Sequence, residues 1–528
     1  MTIHDLLPPA GARALAPPRR GLLLALVLLV CLAALLPVLG LGLFAGLGPN
    51  RHGLQLGEGG LSALLHTLAL VLLVGGAGAV LGTTNGWLTA RCAFPGRRWL
   101  RIAQLLPLAT PAYLLAATLI DLGSRLSWRV HGFTWAALVL TLSTYSYVFL
   151  LSTETFAVSG RRQLEACRSL GVGPWGSFAR VALPMAMPAI GAGIALSGME
   201  VVNELGAVEL LGVPTLSSTI LKRWQNDGDP EGAVGLALAA LVIVSLLVAA
   251  ERLLRRRSRR WTMGSDADGS APWSLSGWRC WGAQLLTLLP PLASLGLPLL
   301  WAGLSLDQLQ ADAALDLASL GVRSLSLALF AAGLTLAAGL LLAMSRRWLP
   351  QPLLHKLSFV AGMGYAIPGA VMALALLLLG GPLQISPLLL LLWGYADRFL
   401  AVPKQGLDAA LERIPPSIDE AATGLGCGWL AALRRVHLPL LRGPLLVGGL
   451  LVFVDVVKEL PLTFALRPFD FDTLSVRVYQ YASDERVGAA LLPALLILLL
   501  GLGAALALIP TLERGPTRPA AGPESGQG

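Results

Sequence analysis

The chain has 528 residues, of which 55% are hydrophobic and 13% are charged, and its formal net charge is +9. Together with a mean hydropathy of +0.70, this composition excludes a soluble globular protein and indicates an integral membrane protein surrounded by a lipid bilayer. The positive charge does not indicate a nucleic-acid partner, because Lys and Arg collect in the cytoplasmic loops of membrane proteins.

Twelve apolar segments have about the 20 residues that a helix needs to cross a bilayer. In chain order they are 21–43, 62–90, 99–120, 134–156, 184–210, 232–250, 282–303, 323–345, 353–379, 385–403, 439–465 and 487–510. The first follows a basic tail and is longer than the apolar region of a signal peptide, so we expect it to be retained. With the N-terminus inside, most of the 39 basic residues fall on the inner side, which predicts that both termini are cytoplasmic.

The chain divides into two halves of six spans each. The predicted segments are a cytoplasmic tail at 1–20, a six-span unit at 21–251, a basic cytoplasmic linker at 252–281, a second six-span unit at 282–510 and a disordered tail at 511–528. The segment HTLALVLLVGGAGAVLG from His66 matches RSLSLALFAAGLTLAAG from Arg323. Because six is an even number, both repeats face the same way. The predicted fold class is an all-α polytopic membrane protein of two parallel six-helix repeats, with a pathway between them.

One polar sequence occurs in both halves, in the inner loop between the fourth and fifth spans. It reads EACRSLGVGPWGSFARVALP from Glu165 and EAATGLGCGWLAALRRVHLP from Glu420, 255 residues apart. A glutamate suits the positive N-terminal end of a short helix, and a glycine six residues later, at Gly171 and Gly426, can adopt the left-handed conformation that ends one. The sequence therefore predicts two short helices on the cytoplasmic face.

The residues around these helices carry further expectations. Small side chains after each glutamate leave room for another surface to approach. Ser417, three residues before Glu420, predicts a capping box. Pro184 and Pro439 are expected to begin the following spans, because proline is tolerated in the first turn of a helix.

The repeated spacing resembles the signature loop of permease subunits of binding-protein-dependent ATP-binding-cassette importers. The resemblance implies a bacterial inner-membrane protein whose two coupling helices dock on a separate ATPase subunit, in two copies, and whose substrate is delivered by a periplasmic binding protein. The residues that would form the coupling helices are Glu165, Ala166, Cys167, Gly171, Glu420, Ala421, Ala422 and Gly426. Cys167 departs from the usual alanine, a replacement of one small residue by another.

The chain lacks the motifs of an enzyme. A P-loop requires a lysine directly after a glycine, and none of the four lysines, at 222, 356, 404 and 458, follows one. There is no HExxH or GxSxG motif, the histidines do not cluster, and the five cysteines include no CxxC pair. We therefore expect no catalytic residues, no cofactor and no assigned metal ligand, with ATP hydrolysed by another subunit.

Acidic residues follow each polar loop within the next predicted span. Glu200 and Asp455 occupy equivalent positions, as do Glu204 and Glu459, and each pair is spaced to share one helix face toward the outer end. Ionisable groups at this depth usually face a cavity or each other. Two roles are expected for the four acids. They form either a gate or a contact for a cation, or a structural network that Lys458 or Arg467 neutralises.

The second copy continues as KELPLTFALRPFDFDTLSVRVYQYASDER, which resembles the ferric-iron branch of the same permease family. This resemblance implies uptake of Fe³⁺, and permeases for thiamine, polyamine, sulfate or phosphonate are the alternatives. The outer loops at 213–232 and 466–486 mix both charges, as a docking surface for a binding protein would. A secondary transporter driven by an ion gradient is a further alternative, which uptake without any ATPase would reveal.

Overall fold

The computed structural model of the protein describes residues 20–47, 57, 59–158, 165–167, 169–262, 273–306, 311–349 and 351–513. Most of the predicted N-terminal tail, the middle of the linker and most of the C-terminal tail lie outside the described residues. The described chain is helical apart from its connections and one two-stranded parallel sheet. The predicted all-α fold class is confirmed.

The helices and strands occur in the same general order in the two halves. The first half contains α1 (Arg20–Leu47), α2 (Gly60–Arg91), β1 (Cys92–Ala93), α3 (Arg97–Ala103), α4 (Ala112–Arg125), α5 (Phe133–Val158), α6 (Pro174–Asn203), α7 (Gly206–Leu210), α8 (Leu216–Gln225) and α9 (Pro230–Thr262). The second contains β2 (Trp273–Ser274), α10 (Trp278–Leu304), α11 (Ala311–Trp348), α12 (Pro352–Ala361), α13 (Gly369–Gly380), α14 (Pro387–Phe399), α15 (Ala401–Leu411), α16 (Ser417–Gly424), α17 (Trp429–Lys458), α18 (Pro461–Leu466), α19 (Leu474–Ser483) and α20 (Val487–Glu513).

Two of the predicted spans are bent pairs of helices. Among the described residues, eight helices are long and apolar enough to cross a membrane, and the bent pairs raise this number to ten. The predicted spans 99–120 and 353–379 bend by 92° and 115°. Each bend lies at a proline, Pro111 or Pro368, in extended conformation before the second helix. A proline lacks the N–H that would continue the helical hydrogen bonds, so a break is favoured there.

The predicted spans 385–403 and 487–510 are not among those ten, so the predicted count of twelve is not reached by length and hydropathy. The segment 385–403 forms α14 and the start of α15, and it contains the buried charged residues Asp397 and Arg398. The segment 487–510 lies in the single helix α20.

Within the described ranges, three long helices contain a π turn just before a proline. The turns are Phe178–Ala182 in α6, Leu292–Gly296 in α10 and Leu433–His437 in α17, and each ends two residues before Pro184, Pro298 or Pro439. A proline removes a hydrogen bond and its ring crowds the carbonyl four residues earlier; the wider π turn accommodates it without breaking the helix. The expectation that Pro184 and Pro439 begin their spans is therefore wrong, since α6 and α17 begin ten residues earlier.

Glycines allow the central helices of the first half to pack closely. Gly78, Gly82 and Gly86 recur every four residues along α2, and a Cβ on Gly82 would lie 2.7 Å from the backbone nitrogen of Phe149 in α5. Within a bilayer, helices associate through such close packing because lipid provides little hydrophobic driving force.

The first helix of each half packs against the other half. In α1, the carbonyl oxygen of Ala33 accepts a hydrogen bond of 2.9 Å from the indole of Trp393 in α14. In α10, the indole of Trp301 donates to Asp121 of α4 at 3.1 Å. The described helices of the two halves, which follow one another in sequence, thus interlock in space.

Candidate functional site: a charged cavity between the halves

The acidic motifs lie where α6 and α17 end. α6 ends at Asn203 and α17 at Lys458, and the next residues, Glu204 and Glu459, have extended backbone conformations. The expectation that the two acids of each half share one helix face is therefore wrong, because the helix stops between them.

Glu204 and Glu459 bind the start of the short helices that follow. The Glu204 carboxylate accepts a hydrogen bond of 2.9 Å from the backbone N–H of Ala207. The Glu459 carboxylate accepts bonds of 2.9 Å from the backbone N–H groups of Leu462 and Thr463, and one of 2.7 Å from the Thr463 hydroxyl. Such bonds satisfy donors that a helix start leaves without partners. These two glutamates therefore have structural roles in the conformation described.

Glu200 and Asp455 have different surroundings. Glu200 accepts hydrogen bonds from the hydroxyls of Tyr147, at 3.0 Å, and Tyr365, at 2.9 Å, which belong to different halves. Asp455 pairs with Lys458 at 2.9 Å. The predicted neutralisation by Lys458 is thus present for Asp455, whereas Arg467 pairs with Asp472 instead.

Each half also contacts the bend in the other. The Lys458 ammonium donates to the carbonyl oxygen of Leu108, just before the bend at Pro111, at 2.9 Å. The Asn203 side chain accepts from the backbone N–H of Gly369, just after the bend at Pro368, at 2.7 Å. Asn203 and Lys458 occupy equivalent positions in the two repeats. Each repeat therefore uses the same position to contact the backbone near the bend of the other repeat.

These residues surround one cavity of about 110 Å³ between the halves. Its lining includes all five predicted pathway residues, namely Glu200, Glu204, Asp455, Lys458 and Glu459, together with Tyr147, Tyr365, Asn203 and Arg398. Four carboxyl groups and two cationic groups therefore face the same small volume. Within the described part of the chain, no group of three or more His, Cys, Asp or Glu residues has the geometry to hold a metal ion. The cavity lining is thus not a chelating site in this conformation.

Sequence reasoning missed the tyrosines, Asn203 and Arg398. Arg398 had a usable signal, because an arginine inside a predicted span is rare and usually faces a polar interior. It lies 3.4 Å from Glu459, and both side chains are buried. Tyr147 and Tyr365 had no comparable signal, since tyrosine is also common in apolar packing.

The described part of each polar loop contains helical residues followed by an exposed turn, as the predicted short helices require. Residues 165–167 are helical, and Gly171 and Gly426 have positive φ angles of 72° and 76°, which confirms the predicted conformation. The preceding residues, Leu170 and Leu425, are 80% and 84% exposed.

The small residues differ in their surroundings. Ala166 and Ala421 are exposed, whereas Ala422 packs inward against the protein itself. The predicted capping box at Ser417 is wrong: Ser417 is already the first helical residue of α16, and no side chain caps that helix.

The loop at 466–486, which the sequence predicts to be an outer loop, is held in place by several contacts. Asp472 pairs with both Arg467 and Arg477, and Arg323 donates to the carbonyl oxygen of Asp470 at 2.7 Å. Phe469, at the tip, is almost fully exposed. A rigid loop therefore presents an aromatic side chain.

Comparison with known proteins places these features in a context. Residues 82–262 match the family described as binding-protein-dependent transport system inner membrane component. The chain is 26% identical over 449 residues to the Fe(3+)-transport system permease protein FbpB 2 of Haemophilus influenzae, covering 83% of this chain and 87% of that protein. The molybdenum transport system permease protein ModB of Escherichia coli is 29% identical over 207 residues, covering 34% of this chain and 88% of ModB. The sulfate transport system permease protein CysT of Escherichia coli is 30% identical over 197 residues, covering 33% of this chain and 66% of CysT.

Proposed function

Since the chain belongs to the family of binding-protein-dependent transport system inner membrane components, we propose that it is the fused, two-domain permease of an ATP-driven importer of ferric iron. The observation that supports ferric iron as the substrate is the cavity between the halves, which is lined by four carboxyl groups and only two cationic groups. Carboxylate oxygens suit a hard cation, and an excess of negative charge disfavours oxyanions such as sulfate or molybdate. The similarity to an Fe(3+) permease, which extends across both halves, supports the same substrate.

The cavity is the closed outer part of the transport pathway. Three contacts cross between the halves around it: Tyr365 with Glu200, Gly369 with Asn203, and Lys458 with Leu108. The cavity, of about 110 Å³, is too small to form a continuous path through the protein. A substrate could therefore pass only after these bonds break and the halves move apart. The bonds therefore act as a gate, and the helix breaks after Asn203 and Lys458 allow it to move without bending α6 or α17.

The permease itself is not catalytic. A separate ATPase, in two copies, binds the two coupling helices, one copy at each. The exposed leucines Leu170 and Leu425 support this proposal, because equivalent apolar side chains exposed beside two equivalent helices fit two equivalent partner grooves.

A periplasmic binding protein docks on the outer loops. The loop at 466–486 supports this role because its base is fixed by ion pairs and its tip presents Phe469. A rigid loop loses little conformational entropy on binding, and an aromatic side chain is a frequent anchor in interfaces.

The substrate proposal is tested by replacing Glu200 with glutamine. Glutamine keeps an acceptor for Tyr147 and Tyr365 but removes the negative charge, so folding is retained while the contact with a cation weakens. We expect uptake of ferric iron to fall about tenfold, the effect of about 1.4 kcal/mol. Uptake is measured in proteoliposomes that contain the ATPase, with iron-loaded binding protein.

The control is Glu251→Gln, which removes a carboxylate paired with Arg255 on α9, outside the cavity lining and the outer loops, and which should transport normally. Sulfate, molybdate and thiamine are tested in the same vesicles. Transport of one of these in place of iron would contradict the substrate, and uptake without the ATPase would indicate an ion-driven transporter.

The orientation is tested by cysteines placed at Gly173 and Gly428 in a variant without native cysteines. Both positions are exposed and follow the coupling helices. The native cysteines are removed because Cys167 and Cys427 lie in the same loops and are partly accessible to the reagent. Cys92 is expected to react slowly, because burial raises the pKa of its thiol to about 11. With both termini cytoplasmic, a membrane-impermeant maleimide should label inside-out vesicles only. Labelling in intact spheroplasts would reverse the orientation.

A further inference from the structure

A half-buried charged cluster connects the second coupling helix to α17. Asp419, in α16, pairs with Arg347 at the end of α11. The same carboxylate lies 2.7 Å from the Nε2 atom of His437, whose ring is fully buried. Arg347 also donates to the carbonyl oxygens of Ile414 and Pro415, each at 3.0 Å. The Asp419 carboxylate therefore links the second coupling helix to both α11 and α17.

His437 occupies a significant position in α17. It is the last residue of the π turn Leu433–His437, after which the helix continues to Lys458. The far end of this helix carries Asp455 and Lys458, which line the cavity. At a rise of 1.5 Å per residue, the 18 residues from His437 to Asp455 span about 27 Å of one helix, which runs on through Pro444 to Lys458. A displacement applied at His437 thus reaches the gate directly.

The sequence of the first half carries two hydrocarbon side chains at the positions equivalent to this pair. The positions 255 residues before Asp419 and His437 are occupied by Leu164 and Ala182. Neither hydrocarbon side chain can form a hydrogen bond or an ion pair, so the two repeats differ at this point while their Glu, Ala and Gly positions agree.

We propose that Asp419 is a positioning residue that transmits movement of the second coupling helix through His437 and α17 to the gate, so that the second coupling helix drives the gate more strongly than the first. The proposal rests on the proposed function, because it requires an ATPase at the coupling helix. A hydrogen-bonded ion pair that is half-buried, like that of Asp419 with Arg347, holds its geometry better than a fully exposed one, which solvent and salt weaken. Asp419 is well placed for this task, since it bridges three elements, whereas the neighbouring Glu420 is exposed.

The test compares Asp419→Ala and His437→Ala with wild type in reconstituted vesicles containing the ATPase and the binding protein. Both ATP hydrolysis and iron uptake are measured. We expect the ATPase to remain bound and active in both variants, while the iron transported per ATP hydrolysed falls about tenfold, within the usual range of coupling between sites. His437→Gln should restore at least half of the wild-type ratio, because its side-chain amide can still donate to Asp419.

The matched control is Asp408→Ala. Asp408 forms ion pairs with Lys404 at 2.7 Å and Arg346 at 3.6 Å near the same end of the protein, and its loss should leave the ratio unchanged. An unchanged ratio in Asp419→Ala would overturn the proposal, and so would a lower melting temperature with an unchanged ratio, which indicates a purely structural role. Failure of wild-type vesicles to couple ATP hydrolysis to iron uptake would instead reject the proposed function.

Discussion

Replacing Arg398 by methionine is expected to lower the free energy of unfolding by about 3–5 kcal/mol, the usual cost of leaving a buried charge without its partner. Arg398 is 7% exposed and lies 3.4 Å from the Glu459 carboxylate, which is 3% exposed. Methionine has a similar length and fills much of the space, so the main change is electrostatic. Glu459 would keep its bonds to the start of α18, but its negative charge would remain without a cation at that side.

Equilibrium unfolding in mixed detergent micelles measures this change. The matched control is Arg346→Met: Arg346 is 43% exposed, and its ion pairs with Asp408 and Glu412 are 3.6 and 3.8 Å long. Exposed pairs of this kind contribute about 0–1 kcal/mol. The double variant Arg398→Met with Glu459→Gln should recover part of the loss, because it removes both charges. Equal stability of Arg398→Met and Arg346→Met would contradict the importance of the buried pair.

The outline of the fold could be predicted because the same polar and glycine positions occur in both halves of the sequence. The glycines at 171 and 426 were predicted from their place after a short helix, and both have positive φ. The four acids were predicted to lie near each other, and they line one cavity. For the glycines the signal was a polar loop repeated in both halves, and for the acids it was a charged residue within an apolar segment, where few physical explanations compete.

The remaining features depend on direction and tertiary contact, which hydropathy does not encode. A window of apolar residues cannot distinguish one straight span from two helices that bend at Pro111, since both are equally apolar. The packing of α1 on the second half also left no trace in its sequence, because a helix that is apolar on all sides suits lipid and protein alike. Likewise, Glu459 can accept bonds from the start of α18 only because α17 ends at Lys458, and the sequence does not indicate this helix end.

The polar residues of α17 that contact other parts of the protein lie at the two ends of the helix. One end carries His437 beside the coupling helix, and the other carries Asp455 and Lys458 beside the cavity. The intervening helix is continuous through Pro444, and Arg442, near the His437 end, is the one charged residue between them. Polar groups are thus concentrated where movement would have to enter or leave the membrane part of the molecule.

Replacing Gly171 or Gly426 by valine is expected to reduce binding of the ATPase and uptake of iron about tenfold, because φ angles of 72° and 76° are strained for any residue with a Cβ atom. The left-handed conformation costs an L-residue about 1–2 kcal/mol, and 1.4 kcal/mol corresponds to about a tenfold change in an equilibrium. The chain relieves this strain by changing the backbone that follows the coupling helix, which moves the helix away from its partner. No atom lies within 4 Å of a Cβ added at either glycine, so the effect comes from the backbone alone.

The loops themselves supply the control for this prediction. Gly173 and Gly428 also have no atom within 4 Å of an added Cβ, but their φ angles are −66° and −70°, which valine adopts without strain. The same substitution in the same loop, two residues later, should therefore leave ATPase binding and uptake near wild type, with equal amounts of all four proteins in the membrane. Equal losses at Gly171 and Gly173, or at Gly426 and Gly428, would show that the added methyl groups block the partner surface and that the left-handed turn is not what positions the coupling helix. Full activity of both Gly171→Val and Gly426→Val, with the ATPase still bound, would remove these loops from the coupling mechanism.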